Sequence, residues 1–220
     1  MDLQDHTHRR QNPLTGEWIL VSPHRTKRPW QGKTESHTSD GRPEYDPGCY
    51  LCPGNTRAGA KVNLSYTGTY TFANDFAALL PDTPVGNFNN SDLLIAEGER
   101  GICRVICFSP RHDLTLPRME ISAISGVIST WQDEYSELGS HDGIGYVQIF
   151  ENKGAVMGCS NPHPHGQIWA NSSIPDIPQK ETINQEKYSH NHDGCLLCSY
   201  LDLEIERSER IVAENRSFVS

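Results

Sequence analysis

No window of this 220-residue chain approaches the roughly 18 apolar residues that cross a bilayer as a helix. Its opening, MDLQDHTHRRQNPL, lacks the apolar core of a secretion signal, so no membrane partner and a cytoplasmic location are expected. Excess positive charge is missing too. With 19 Lys and Arg against 28 Asp and Glu, the net charge of −9 excludes a general affinity for nucleic acid polymers, which need a basic surface. Any phosphate binding must come from a local cluster. A disulfide framework is also not indicated: seven cysteines, an odd number without an export signal, read as thiols or metal ligands. Nor is the chain disordered in composition. With 35% hydrophobic and 21% charged residues it is an ordinary folded sequence, long enough to bury a core without staples.

What is present centres on Asn161-Pro162-His163-Pro164-His165-Gly166-Gln167-Ile168-Trp169. The prolines forbid helix, and in an extended run alternate side chains share a face, so His163, His165 and Gln167 point the same way. Isolated histidines are mostly surface or satisfied core residues. Two imidazoles on one face have no use in a hydrophobic core, and a metal or catalytic site is the better account. The glycine lets something approach closely.

Upstream, a turn at Asn12–Gly16 leads to a strand at Glu17–Val21. His24, Arg25, Lys27 and Arg28 then crowd together, either as a solvated loop or as a phosphate clamp. A polar loop covers Gln31–Pro47. Cys49 and Cys52 have the spacing that presents two thiolates to one tetrahedral metal, the alternative being two buried free thiols. Thr69–Phe72 alternates as a strand into Ala73-Asn74-Asp75-Phe76, a strand-end turn where polar side chains can meet a ligand. Pro81–Asp92 reads as a surface loop, and Ile102–Phe108 as a strand whose end delivers His112.

Between Leu116 and Gly139, Ile121, Ile124, Ile128, Trp131, Tyr135 and Leu138 recur at steps of three and four. This predicts an amphipathic helix with a core-facing stripe, capped by Thr115 and with Pro117 in its first turn. Ile144–Phe150 is a further strand, and a glycine-rich turn from Gly154 to Gly158 returns to the histidine run. A proline-broken loop, Asn171–Pro178, precedes a short helix around Lys180–Tyr188. Finally Cys195-Leu196-Leu197-Cys198 echoes Cys49-Tyr50-Leu51-Cys52, and Arg210–Phe218 echoes Tyr70–Phe76, as if a second copy of the first unit begins before Ser220.

If His163 and His165 have different tasks, Cys49, Cys52, His112 and His163 make a closed Cys2His2 set of the kind a structural zinc requires. His165 is then held by its backbone with its ring free. Neutral imidazole is a good nucleophile near pH 7, so double displacement at phosphorus through a covalent histidine intermediate is predicted. The Gln167 amide and the Ser160 hydroxyl are placed to stabilise charge on nonbridging oxygens. A hydrogen bond from one imidazole nitrogen to a backbone carbonyl would aim the other at phosphorus.

Glu151-Asn152-Lys153-Gly154 together with Ser160–Ala170 resembles the active-site signature of the galactose-1-phosphate uridylyltransferase family, in the histidine-triad superfamily. Asn12–Trp18, Ser22–Arg25 and Pro29–Gly32 are similar to the same family, so the resemblance covers essentially the whole chain. It implies that His165 takes up UMP from UDP-glucose and passes it to galactose 1-phosphate, with Gln167 binding the phosphoryl group. It implies zinc at Cys49, Cys52, His112 and His163, and a second metal, often iron, at Glu181, whose partner histidines lie in the family's C-terminal half. Asn74, Asp75, Phe76, Asn152 and Ser160 are implied to line the nucleotide site. Arg25 and Arg28 are implied to reach a phosphate across a homodimer. Competing readings are a histidine-triad nucleotide hydrolase, against which Gln167 stands where those enzymes usually carry a further histidine, and a non-catalytic zinc-binding fragment.

Strands before and after one clear helix point to an α+β fold, an antiparallel sheet with packed helices. The resemblance adds a histidine-triad-like architecture, one complete repeat plus the start of a second. Residues 1–190 are expected to form the catalytic domain and 191–220 the start of the second repeat.

Overall fold

The computed structural model describes residues 1–29, 41–159 and 161–220. These fall into two compact units, Met1–Glu35 with Pro175–Ser220, and Ser36–Ile174. In the first, strands β1 (His8–Gln11) and β2 (Trp18–Val21) pair antiparallel. The expected turn joins them: the Asn12 side-chain oxygen accepts from the Leu14 and Thr15 amides, and Gly16 supplies the positive φ of 73°.

The second unit holds β3 (Tyr70–Ala73), β4 (Asn87–Asn90), β5 (Leu94–Glu97), β6 (Gly101–Cys107), helix α1 (Ile121–Gly139), β7 (Tyr146–Phe150) and β8 (His165–Asn171). β3, β6, β8 and β7 form one antiparallel sheet in that order. The fold is therefore α+β, as the sequence pattern requires. Register does most of the organising. Tyr70, Cys107 and His165 lie in one cross-strand row, and Phe72, Val105, Gln167 and Phe150 in another. Since side chains alternate between faces, both rows point to one side of the sheet.

Ile106, Ile168, Ala170 and Val147 point the other way. There they bury against Phe108, Met119 and the Val127 and Leu138 face of α1. Arg104 on β6 ties the helix down through ion pairs at 2.5 Å to Glu134 and Glu137. The helix differs from expectation in two ways. Its first predicted turn is a separate 3-10 turn, Leu116–Arg118, holding Pro117, and Thr115 makes no side-chain cap. The stripe is also only half buried. Ile124 and Trp131 pack on the core, while Ile121, Ile128 and Tyr135 are exposed. At about 100° per residue those three lie some 60° to one flank of the Ile124–Trp131–Leu138 row, beyond the sheet's reach.

The predicted loop Pro81–Asp92 is in part a hairpin of β4 and β5, turned through Ser91 and Asp92 at φ 57°. All eight strand residues are exposed, so backbone pairing leaves no alternation in the sequence to read. The short helix predicted around Lys180–Tyr188 is longer: α2 runs Asp176–His192, because Pro178 sits in its first turn, where no amide is needed. Lys180 pairs with Glu17 at 2.8 Å, and Asn184 donates to the Pro13 carbonyl, fixing α2 to the first turn of its own unit.

A third helix, α3 (Leu196–Arg207), was not anticipated. Cys195 caps it by accepting from the Cys198 amide, and the two sulfurs are joined in a disulfide. This corrects the expectation of thiols or metal ligands for this pair: the cap places the two sulfurs within one helical turn. The other five cysteines are free. Among the described residues no helix is long and apolar enough to cross a membrane.

Candidate active site and metal centre

The tight turn at Asp46–Cys52 is closed by backbone bonds from Cys49 N to Asp46 O and from Cys52 N to Cys49 O, both 3.1 Å. Two asparagines brace it. Asn55 donates to the Asp46 and Cys49 carbonyls, and Asn63, itself buried, donates to those of Tyr50 and Cys52. The turn thus presents both thiols to the interior, where His112, beyond the end of β6, and His163, before β8, meet them.

The four ligand atoms lie within 4.8 Å of one another, all buried. Cys52 Sγ is 3.7 Å from His112 Nδ1 and 3.6 Å from His163 Nδ1. Tetrahedral zinc, with bonds of about 2.0–2.3 Å, sets neighbouring donors about 3.3–3.8 Å apart, so the spacing fits a zinc-sized ion. The donor chemistry agrees. Burial holds the His163 ring neutral, down to about 4, and lowers His112 likewise, which leaves nitrogen lone pairs for a metal. Burial also pushes the Cys52 thiol up to about 11 when no cation is there to hold the thiolate.

Surrounding groups fix the orientation. His163 Nε2 lies 2.9 Å from the Ser109 carbonyl, which can only accept, so that nitrogen carries the proton and Nδ1 faces the thiols. The Tyr66 hydroxyl, 3.0 Å from the same nitrogen, donates to Leu51 O at 2.7 Å. Asn161 contacts Cys49 Sγ at 3.4 Å and accepts from the His163 amide at 2.9 Å. Asn63 and Tyr66 were not singled out in the sequence, and Asn55 and Asn161, which follow the cysteine pair and open the histidine run, carry no expected role there. Each acts through backbone or ring contacts that have no motif.

From His163 the chain passes through Pro164 into β8. The His165 Nδ1 donates to the His163 carbonyl at 2.7 Å, leaving Nε2 with its lone pair. His165, Gln167 and Trp169 then line a cavity of about 620 Å³ with Tyr50, Leu51, Thr56, Arg57, Ala58, Phe72, Asn74, Asp75, Phe76 and Val105. Gln167 is held by its acceptor: Trp169 Nε1 donates to Gln167 Oε1 at 3.0 Å, which frees the amide NH2. A smaller polar recess of about 50 Å³ joins His165 and Gln167 to Asn152, Gly158 and Cys159.

Of the residues expected at a substrate site, His165, Gln167, Asn74, Asp75, Phe76 and Asn152 therefore line these two connected walls. Asp75, 11% exposed, is gripped by Lys61 at 2.9 Å and Arg57 at 3.2 Å. Glu151, beside Asn152, has its carboxyl raised above the usual range by burial. Arg25 lies in the 3-10 turn Pro23–Lys27, Arg28 follows it, and Glu181 lies half-buried on α2, all in the other compact unit. The metal cluster among the described residues does not include Glu181. Ser160, and the part of the basic segment and polar loop at residues 30–40, lie outside the described residues.

The fold is shared with solved structures. A uridylyltransferase structure superposes with a TM-score of 0.66 at 24% identity, covering 97% of this chain and 60% of that one. An ADP-glucose phosphorylase from Arabidopsis thaliana, solved with bound ADP-glucose, superposes at 0.68 and 22% identity, covering 97% and 63%.

The family model for the N-terminal domain of galactose-1-phosphate uridyl transferase matches residues 1–175, and the chain belongs to that family. It is 49% identical to the galactose-1-phosphate uridylyltransferase of Haemophilus influenzae, over 98% of this chain and 61% of that protein. The Saccharomyces cerevisiae enzyme is 47% identical, over 99% and 63%, and the Rattus norvegicus enzyme 47%, over 98% and 56%. The chain thus spans about three fifths of the length of these relatives.

Proposed function

We propose that this chain carries the uridylyl-transfer centre of a UDP-glucose–hexose-1-phosphate uridylyltransferase of galactose metabolism. The observation that carries this reading is His165, whose Nδ1 is bonded to the His163 carbonyl and whose ring lines the large cavity beside Gln167. In the first half-reaction Nε2 attacks the α-phosphorus of UDP-glucose. The phosphorus–oxygen bond to the β-phosphate breaks, and glucose 1-phosphate leaves with the electron pair. In the second, a phosphate oxygen of galactose 1-phosphate attacks the same phosphorus, the phosphorus–nitrogen bond breaks, and UDP-galactose forms. The Gln167 amide donates to a nonbridging oxygen as charge builds there.

Asn74, Asp75, Phe76, Asn152 and Ser160 bind the nucleotide in this reading, and Arg25 and Arg28 engage a phosphate across a homodimer. Cys49, Cys52, His112 and His163 would hold zinc, which supplies rigidity to the strand entering the site rather than a reaction step. Glu181 is one ligand of a second metal, iron, completed elsewhere in a full-length subunit. Residues 1–190 form the catalytic repeat and 191–220 open a second one, in a cytoplasmic protein.

The test is to incubate the protein with UDP-glucose labelled in the α-phosphate. Acid-labile, base-stable label on wild type and none on His165→Ala is expected, and equal labelling of the two would remove His165 as nucleophile. Label that is lost to water as fast as to galactose 1-phosphate would favour the histidine-triad hydrolase. No labelling, with zinc bound, would favour a non-catalytic zinc-binding fragment.

A further inference from the structure

Trp169 enters none of the steps above, yet it lines the large cavity and makes a polar contact there. It stands two residues beyond Gln167 on β8, so the two side chains share a face of the sheet. Phe150, the cross-strand partner of Gln167 on β7, meets the indole edge-on, with ring centres 5.6 Å apart and planes at 79°. The indole is thus fixed from one side, and its Nε1 lies 3.0 Å from Gln167 Oε1.

The chemistry of the two groups makes this contact directional. An indole N–H only donates, whereas a glutamine amide carries an acceptor at one end and two donors at the other. Trp169 therefore selects one orientation of Gln167: a reversed amide sets its NH2 against the indole N–H and loses the bond. A nonbridging phosphoryl oxygen only accepts, so only the NH2 end of Gln167 can serve a phosphorus held at His165. His165 is the next side chain of the same face on the other side of Gln167, and both also line the smaller polar recess.

Resting on the uridylyl-transfer reading given above, we infer that Trp169 is a positioning residue for that reaction: its indole N–H locks the Gln167 amide with the NH2 end presented to the phosphoryl oxygens at His165. Its effect on the rate runs through Gln167. Trp169→Phe keeps a ring beside Phe150 and removes the donor, which lets the amide turn over and spend part of its time with the wrong end forward.

The experiment follows single-turnover labelling of the zinc-loaded protein by UDP-glucose labelled in the α-phosphate, over a range of concentrations, for wild type, Trp169→Phe, Gln167→Ala and the double variant. Trp169→Phe is expected to lower the limiting rate by about three- to tenfold, the worth of a neutral hydrogen bond, and to move the half-saturating concentration less than about twofold. In the Gln167→Ala background the same substitution should change the rate less than about twofold, because no amide is left to orient. Replacing Trp169 by the benzothiophene analogue of tryptophan, the same bicycle with sulfur in place of the N–H, should reproduce the Trp169→Phe loss. It supplies the measurement if that variant does not fold.

Equal slowing with and without the Gln167 amide overturns the inference, because Trp169 would then act by packing or by its own contact with the ligand. An unchanged limiting rate in both donor-free proteins overturns it as well. Wild-type protein that takes up no label would instead overturn the uridylyl-transfer reading on which the inference rests, so the two failures are distinguishable.

Discussion

Substituting alanine for Gly166 tests how the back of the sheet supports the front. Gly166 lies between His165 and Gln167 but faces α1, in the row of Ile106. A Cβ there would sit 2.8 Å from the Phe150 carbonyl oxygen and 2.9 Å from Phe108 Cζ. Neither neighbour can easily yield. Phe150 O belongs to the paired strand β7, and the Phe108 ring is 2% exposed, wedged edge-on against Trp131 at 5.9 Å. Overpacking a filled core costs about 1–3 kcal/mol, and contact with backbone on one side and a fixed ring on the other puts this case at the upper end, about 2–3 kcal/mol. For a chain of this size that corresponds to a melting temperature lower by roughly 4–12 °C. Urea unfolding followed by tryptophan fluorescence, with the midpoint compared at constant slope, measures it. Relief by moving β8 would displace His165 and Gln167, so labelling from UDP-glucose should fall more than the unfolded fraction explains. A variant within about 0.5 kcal/mol of wild type would refute the claim that this glycine is required by close packing.

Gly126→Ala is the matched control. Gly126 is exposed within α1 with nothing within 4 Å of the added carbon, so the helix should gain about 0.5–1 kcal/mol in the same urea assay. Cys52→Ser should carry well under one zinc per chain by elemental analysis, and its melting temperature should no longer fall on adding a chelator; unchanged stoichiometric zinc would remove Cys52 from the ligand set. Glu151→Gln tests the buried carboxyl. Because burial raises its folded pKa, the native state favours the protonated form, and that contribution is lost as pH rises above the ordinary carboxylate range. Melting curves of wild type and Glu151→Gln should therefore converge near pH 4 and separate towards pH 7, with the variant the more stable; a gap widest at low pH would reverse the sign.

Much of the site was legible because the relevant residues are close in sequence and chemically conspicuous. Pro162 and Pro164 forbid helix, so the alternation of His163, His165 and Gln167 could be read directly, and the Cys49–Cys52 spacing announced a turn. Features were missed where the signal was not in the side chains. The β4–β5 hairpin pairs through backbone with every strand residue exposed. Helix α3 begins at a cysteine cap that looked like a repeat of a metal-binding turn. The α1 periodicity reports which residues share a side, not how wide the covering sheet is, so Ile121, Ile128 and Tyr135 stay exposed.

Local chemistry in the sequence was enough to set the exclusion of helix around Pro162 and Pro164, the strand that carries His165 and Gln167, and the acidic balance that limits anion binding to a local cluster. Each depends on dihedral restrictions, side-chain alternation or ionisable groups, which operate over a few residues. Tertiary structure alone decided that His112 and His163 bring Nδ1 to the thiols, that Tyr66 and Ser109 hold that orientation, and that Arg57 stands on Phe72. Those contacts join residues far apart along the chain, and they exist because antiparallel register brings β3, β6 and β8 side by side, a pairing that no short stretch encodes by itself.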